Sequence, residues 1–171
     1  ASDVKGKYSN IYIYDVTNDE TKSVPDPIQL TGYPGEKIPL TSFPEVTRKG
    51  YHLSGWSTTK NAEGNGNTVN KIINSITLST DGKNTPVYAI WDPNTYYIRF
   101  NKNQTEGDSV PVEGTMANQK MTYNVGGSIP ELGYTYDGYK FFGWNTKPDG
   151  TGVYYREGDY VKNLTDVNNG Y

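Results

Sequence analysis

The sequence predicts a mainly β protein that consists of two tandem copies of one small module. The frame Gly-Tyr-x-x-x-Gly-Trp occurs at residues 50–56 and again at 138–144, and its recurrence indicates a repeated structural unit. The chain of 171 residues contains 19 Gly and 10 Pro, which favour short strands and frequent turns. Runs such as Ile11–Tyr14 place side chains on two faces with period 2, as strands do.

The first copy is expected to span residues 8–92, after a flexible N-terminal segment at residues 1–7. Interior prolines at 39 and 44 exclude a long helix there, so this stretch is expected to be extended or a single turn. A flexible loop is predicted at residues 61–67, before an apolar patch at Ile72, Ile73, Ile76 and Leu78. The predicted strands are Tyr8–Val16, Ile28–Tyr33, Tyr51–Trp56 and Pro86–Trp91.

The second copy is expected to span residues 96–171, after a short hinge at residues 93–95. Its segment Gly126–Pro130 repeats the Gly-x-x-Ile-Pro pattern of Gly35–Pro39. Residues 103–118 are predicted to be a polar loop. The predicted strands of this copy are Tyr96–Asn101, Gln119–Val125 and Tyr139–Trp144.

The second copy lacks a counterpart of the run Val87–Trp91 that closes the first copy. If that strand is integral to the module, the second copy is one strand short. An unfilled position of this kind exposes unpaired backbone and apolar surface, which favours pairing with another chain. A swapped strand or a lattice neighbour is the occupant that this pattern suggests.

Several motifs resemble the Listeria–Bacteroides repeat, also called the internalin B B-repeat. The run Gly138–Gly152 reads Gly-Tyr-x-Phe-x-Gly-Trp-Asn-Thr-Lys-x-Asp-Gly-x-Gly, and Tyr88–Trp91 looks like the closing Tyr-Ala-x-Trp motif of that family. The opening Tyr96–Asn101 and the Gly-x-x-Ile-Pro segments also fit. The resemblance covers residues 8–92 and 96–171, which is nearly the whole chain.

This resemblance implies two β-grasp-like modules of about four strands each, in which the usual helix is short or absent. It implies a non-enzymatic role as stalk, spacer and adhesion module of a bacterial cell-surface or secreted protein. The implied partners are neighbouring repeats and a host or bacterial surface protein or glycan. The first copy departs from the family pattern by an insert at Asn61–Leu78, and the second by its missing last strand.

Composition excludes several functional classes. A net charge of −3 without a basic cluster argues against nucleic-acid binding. No apolar run approaches the ~20 residues that span a bilayer, so membrane insertion of this segment is not expected. The absence of Cys excludes disulfides, thiolate metal sites and Cys nucleophiles. The chain begins Ala-Ser-Asp without Met or signal peptide, from which we expect a processed or excised fragment.

The residue inventory predicts no catalytic, cofactor-binding or metal site. His52 is the single histidine and is expected to face solvent, whereas general base catalysis needs a partner and a cleft. Carboxylates are scattered singly, without the facing pair that a glycosidase needs. The loops at 61–67 and 149–152 invite a calcium interpretation, but they lack the spaced acidic ligands of a calcium cage. The Gly-rich runs also lack a phosphate-loop Lys and helix.

Aromatic residues leave two interpretations open. Trp56, Trp91 and Trp144 stand at strand ends and are predicted to be core anchors, with sugar stacking as the alternative. The pairs Tyr96–Tyr97 and Tyr154–Tyr155 must place one ring on each face of a strand. An outward Tyr serves either as an edge-strand former or as a contact for protein or glycan. The alternative function is therefore a carbohydrate-binding accessory module of a larger secreted enzyme, and the ligand residues stay unknown.

Overall fold

The computed structural model describes residues 9–14, 28–43, 45–59 and 73–171, and for 9–14 and 28–30 it describes the backbone alone. The chain divides into two compact units, residues 1–92 and residues 93–171. Among the described residues, the single helical element is the 3-10 turn Leu40–Ser42, which confirms the mainly β class. The loop predicted at 61–67 lies outside the described residues, as do the segment 1–7 and Ile72.

Unit 1 is built around a four-stranded sheet in the order β2-β1-β6-β4. Strand β1 pairs antiparallel with β2 and parallel with β6, with Tyr12 opposite Gln29 on one side and Pro86 on the other. A separate antiparallel pair, β3 with β5, places Ile38 opposite Ile76. The strands are β1 Ser9–Tyr14, β2 Ile28–Gly32, β3 Lys37–Pro39, β4 Tyr51–Ser57, β5 Ser75–Thr77 and β6 Thr85–Pro93.

Strand β6 is the centre of unit 1, because it lies between β1 and β4. A strand with neighbours on both sides and covered faces reads as a continuous apolar run rather than as an alternation. The run Val87–Trp91 has this character, and Val87 and Ile90 are 0% exposed. Its side chains join a core of Trp56, Ile76, Leu78, Val87, Ala89 and Trp91.

Trp56 is one of two indoles in this core and is 5% exposed. Phe43 meets it edge to face, with ring centroids 5.1 Å apart, which is a favoured aromatic geometry. The residues around Phe43 take the extended and single-turn form that the prolines predict. The segment that contains Phe43 therefore covers the Trp56 indole.

Unit 2 contains eight short strands, each of which has one strand partner. The pairs are β7 with β9, β8 with β11, β10 with β14 and β12 with β13, all antiparallel. The strands are β7 Thr95–Ile98, β8 Val112–Gly114, β9 Gln119–Thr122, β10 Gly127–Ser128, β11 Tyr134–Tyr136, β12 Trp144–Asn145, β13 Tyr154–Tyr155 and β14 Tyr160–Val161.

Unit 2 has its own core, distinct from that of unit 1. Its buried members are Tyr96, Phe100, Met121, Ile129 and Val161, with Trp144 and Tyr155 partly buried against them. Tyr96 is the most deeply buried ring and is 1% exposed. Its hydroxyl accepts a hydrogen bond from the Leu164 backbone N–H at 3.3 Å, as a buried Tyr requires.

Two predicted segments of unit 2 differ from the structure. The predicted strand Tyr139–Trp144 is wrong for residues 139–143, which form no strand. The reason is pairing: β4, at the corresponding place in unit 1, has β6 as its partner, and the described residues of unit 2 supply no such strand. The predicted polar loop 103–118 contains β8, which pairs with the Tyr-rich β11.

The chain passes from unit 1 to unit 2 through strand residues. Strand β6 ends at Pro93 and β7 begins at Thr95, so Asn94 alone lies between them. Asn94 is buried and donates from its side-chain amide to the Asp166 carbonyl at 2.8 Å. Its own carbonyl accepts from Tyr123 N–H at 2.8 Å, which ties this residue to unit 2.

We expect Trp56→Ala to lower the free energy of unfolding of unit 1 by about 3–5 kcal/mol, because it removes a buried ring and leaves a cavity. Leu53→Ala, in the same strand but 38% exposed, is the matched control and should cost less than about 1 kcal/mol. Urea unfolding followed by amide NMR signals of each unit measures both. Equal costs for the two variants would contradict the assignment of Trp56 as a core anchor.

Candidate functional site

A groove crosses the surface of unit 2 and is the candidate site. One wall is formed by β7 with the residues that follow it, and a second by most of residues 134–150. Phe100 and Trp144 approach each other within the groove, with ring centroids 4.9 Å apart. Phe141 meets the same indole edge to face at 5.1 Å. Aromatic rings therefore form part of the groove lining, together with polar residues such as Asn101 and Lys102.

Exposed aromatic rings stand along the second wall. Tyr139 is 66% exposed and Phe142 is 87% exposed, although both are large rings. Tyr139 stacks on Tyr136, with centroids 4.1 Å apart and planes 11° from parallel. The Tyr136 hydroxyl donates to Asp108, and this hydrogen bond holds the Tyr136 ring of the stack in place. Such a wall combines a rigid apolar surface with hydroxyl groups, a combination that is common in protein contacts.

Gly143, from the repeated frame, is required by a close packing contact. A Cβ at this position would lie 2.2 Å from Cε2 of Tyr154, so any larger residue would displace that ring. Tyr154 lies across Gly143 and donates from its hydroxyl to the Phe142 carbonyl at 2.5 Å. The glycine thus allows Tyr154 to hold the backbone of the exposed wall.

The following turn is organised by one amide side chain. Asn145 Oδ1 accepts from the N–H groups of Lys147 and Gly152, each at 2.9 Å, and Nδ2 donates to the Gly150 carbonyl at 3.0 Å. A Cβ on Gly152 would lie 2.2 Å from the Thr146 hydroxyl oxygen. The motif Asn-Thr-Lys-x-Asp-Gly-x-Gly therefore encodes a turn that anchors one end of the groove wall.

Asp149 belongs to the same turn, and its carboxylate accepts hydrogen bonds from within that turn. It accepts from the backbone N–H of Thr151 at 3.0 Å and from the Thr151 hydroxyl at 2.8 Å. These two bonds favour the charged form and lower the pKa of Asp149. Over the described part of the chain, no group of three His, Asp or Glu side chains is placed to hold a metal ion.

Asp81, in unit 1, shows the same turn chemistry. Its carboxylate accepts from the Ser79 hydroxyl and pairs with Lys83 Nζ at 2.9 Å. The Ser79 bond, followed by the Lys83 contact, lowers the pKa of Asp81 well below its ordinary value. Both partners are exposed, so the pair is a solvated turn contact of small energy rather than a site.

The remaining residues that the sequence singles out lie in environments that differ in burial. His52 is exposed on β4, as expected. Trp56 and Trp91 are buried, which agrees with their predicted role as core anchors. Trp144 is half-buried, and its Nε1 is buried without a hydrogen-bond partner among the described residues. The indole of unit 2 is thus less completely enclosed than the two indoles of unit 1.

The Tyr pairs divide between faces as predicted. Tyr96 is in the core of unit 2, whereas Tyr97 lies against Tyr171, with ring centroids 5.7 Å apart. Tyr155 packs on the core and Tyr154 covers Gly143. The exposed Phe142 and the Tyr136–Tyr139 stack were not identified from sequence, because a strand through 139–144 would have directed these rings differently.

Comparison with known proteins identifies the repeat. Residues 12–81 and residues 96–165 each match the Listeria–Bacteroides repeat domain. The chain belongs to the Listeria–Bacteroides repeat family. The two ordered matches confirm the tandem organisation that the sequence predicts.

One relative is a much longer protein that is similar to this chain over part of its length. A protein of Evansella cellulosilytica described as "Putative Gly-rich membrane protein" is 32% identical over 136 residues. The aligned region covers 77% of this chain and 15% of that protein, so the chain spans about 15% of the relative's length. No solved structure shows a significant match. The part of the chain that the structure describes holds no helix that is long and apolar enough to cross a membrane.

We expect the pKa of Asp149 to rise towards its ordinary value of 3.8 in Thr151→Ala, because the hydroxyl bond to the carboxylate is lost. In the unchanged chain the lowered pKa means that the turn is stabilised above the unfolded-state pKa. This contribution is lost as the pH falls through the folded-state pKa. NMR titration of the Asp149 carboxyl carbon measures the shift.

The matched control for this titration is Thr146→Ala. Its hydroxyl bonds Val153 N–H at 2.9 Å in the same turn and does not contact Asp149. The Asp149 titration curve should therefore stay where it is in the unchanged chain. Identical curves for Thr151→Ala and the unchanged chain would show that Thr151 does not hold the carboxylate.

Proposed function

We propose that this chain is a non-enzymatic repeat region of a bacterial cell-surface or secreted protein, which acts as a spacer and as a protein-interaction or adhesion module. The observation that carries the proposal is the tandem pair of Listeria–Bacteroides repeats, one in each compact unit. Tandem modules of this size suit a region whose length is set by the number of copies.

The two separate cores support the spacer role. The core of unit 1 is built on Trp56 and Trp91, and the core of unit 2 on Tyr96 and Phe100. Because each unit buries its own apolar residues, copies can be added or removed without exposing the interior of a neighbour. The net charge of −3 and the polar composition suit an exposed region.

The exposed rings of unit 2 support an interaction role. Tyr139 and Phe142 are large aromatic side chains beside a groove, and such rings contribute strongly to protein interfaces. The description of the Evansella protein as a membrane protein supports a location at the cell envelope. The proposed partners are a host or bacterial surface protein or glycan and neighbouring repeats of the same protein.

The spacer role is tested by displaying a fluorescent reporter on a bacterial surface through one, two or three copies of this chain. We expect the reporter's distance from the surface to grow about linearly with copy number, because the units are folded. Gly/Ser linkers of equal residue number are the control, and their distance should grow with about the square root of length. Growth that is no faster than in the linker series would contradict the spacer role.

The alternative, a carbohydrate-binding accessory module, rests on the Tyr136–Tyr139 stack, because flat exposed rings can pack on sugar faces. If it is correct, a glycan array should show binding that Tyr139→Ser reduces at least about tenfold. Lys140→Ser, an exposed neighbour, is the control and should bind as the unchanged chain does. No bound glycan, or equal binding by both variants, would exclude this alternative.

A further inference from the structure

A tight turn leads into the Gly-Tyr-x-x-x-Gly-Trp frame in both units. In unit 1 the turn runs from Arg48 to Tyr51, whose N–H donates to the Arg48 carbonyl at 3.1 Å. In unit 2 it runs from Tyr136 to Tyr139, whose N–H donates to the Tyr136 carbonyl at 3.0 Å. The third residue of each turn is the first Gly of the frame, with φ of 77° in unit 1 and 79° in unit 2, a region that favours glycine. The first and last side chains of the two turns therefore occupy equivalent positions.

The side chains held by these two turns differ in chemistry. In unit 1 the Arg48 guanidinium lies over the Tyr51 ring, 3.9 Å from its centroid. In unit 2 the Tyr136 ring takes the place of the guanidinium and stacks on Tyr139, with centroids 4.1 Å apart and planes 11° from parallel. Two phenols can be joined by oxidation, because each can lose an electron and a proton, whereas a guanidinium cannot take part in this coupling. The difference therefore gives unit 2 a chemistry that the equivalent turn of unit 1 lacks.

The geometry of the stack suits a bond between the two rings. Nearly parallel planes at this centroid distance bring ring carbons of Tyr136 and Tyr139 to roughly 3.5–4 Å, which is van der Waals contact. Reacting atoms held at about this separation need little further approach. The unpaired electron of a phenoxyl radical lies in π orbitals perpendicular to the ring, so a bond between two such radicals forms along the stacking direction. Tyr97 and Tyr171, by comparison, have centroids 5.7 Å apart and planes at 31°.

A proton acceptor and access from solvent complete the arrangement. The Tyr136 hydroxyl donates to the Asp108 carboxylate, and both side chains are half-buried. A phenol that loses an electron becomes a strong acid, and this carboxylate is placed to receive the proton directly. Tyr139 is 66% exposed, so an oxidant can reach its ring and its proton can pass to water. Each ring of the stack thus has a route for both its electron and its proton.

We propose that the Tyr136–Tyr139 stack is a site of oxidative cross-linking, at which a one-electron oxidant joins the two rings as dityrosine. The oxidant class is a haem peroxidase acting with hydrogen peroxide. Each phenol loses one electron and its hydroxyl proton, and the two radicals form one C–C bond between ring carbons ortho to the oxygens. These two carbons then lose their protons and the two oxygens regain protons, which restores both aromatic phenols. In total the pair loses two hydrogen atoms, and one hydrogen peroxide is reduced to two waters.

The absence of Cys gives this link a structural value. Disulfides are the usual covalent links of proteins in oxidising environments, and this chain cannot form them. A dityrosine between Tyr136 and Tyr139 would instead close the turn at which the repeated frame of unit 2 begins. The link lies within one chain, and the inference does not require the spacer or the interaction role.

The test treats the full 171-residue chain with a haem peroxidase and hydrogen peroxide. We expect the blue fluorescence of dityrosine in the monomer and a monomer mass lower by two hydrogen atoms. The yield per chain should not change when the protein is diluted, because both rings belong to one chain.

Peptide mapping locates the link. Trypsin releases Met121–Lys140, which holds both rings, and a protease that cleaves before Asp then cuts between Tyr136 and Asp137. The two halves should stay joined after oxidation and should separate in the untreated chain.

Four variants test the roles of the named groups. Tyr136→Phe keeps a ring in the stack but removes its phenol, and Tyr136→Arg copies the unit 1 pair, so neither should give joined halves. Asp108→Asn keeps a side-chain oxygen for the Tyr136 hydroxyl but removes the carboxylate, and should slow the link at least about tenfold. Tyr160→Phe removes a phenol that is 69% exposed and lies outside the stack, and as the control it should not alter the link. Amide NMR spectra check that each variant is folded.

Three results would overturn the proposal. Dityrosine confined to dimers and larger species would show coupling between chains rather than within the stack. Joined halves in Tyr136→Phe would assign the link to another tyrosine of the peptide. Consumption of peroxide without any joined halves in the unchanged chain would show that the stacked rings do not couple. An unchanged rate in Asp108→Asn would overturn the role of the carboxylate as proton acceptor.

Discussion

The central position of β6 is the constraint on which unit 1 depends. This strand hydrogen-bonds to β1 and β4 and contributes Val87, Ala89 and Trp91 to the core. Unit 2 carries the same Gly-Tyr-x-x-x-Gly-Trp frame, yet residues 139–143 are irregular where β4 is a strand. The frame alone does not make a strand, because strand structure in this fold depends on the neighbour that supplies hydrogen bonds and side-chain contacts.

The residues that define the repeat are largely architectural. Trp56 fills a core, Gly143 admits the Tyr154 ring, and Asn145 closes a turn through three backbone groups. An exposed aromatic ring stands at a position where the copies differ: Phe142 lies where unit 1 has Ser54. This division lets a repeat keep its fold while each copy presents a different surface, which is the usual relation between fold and function.

The β class, the two copies and the burial of Trp56 could be predicted from the sequence, because they follow from residue types and their spacing. Strand β8, in the polar stretch 103–118, was not predicted, since Val112–Gly114 pairs only by virtue of the distant Tyr134–Tyr136. The strand predicted at Tyr139–Trp144 is also absent over residues 139–143. The groove was not predicted, because its aromatic side chains come together through long-range packing that no local pattern reports.

The parallel pairing of β1 with β6 also has a consequence for how a repeat forms. Ile11 lies opposite Thr85, which is 74 positions later (85 minus 11). The first strand of unit 1 therefore cannot make this pairing until the last strand is present. The entropy of closing so large a loop must be offset before the sheet can assemble, which makes folding slow for a chain of this size. During synthesis, the sheet of unit 1 therefore stays incomplete until β6 has emerged.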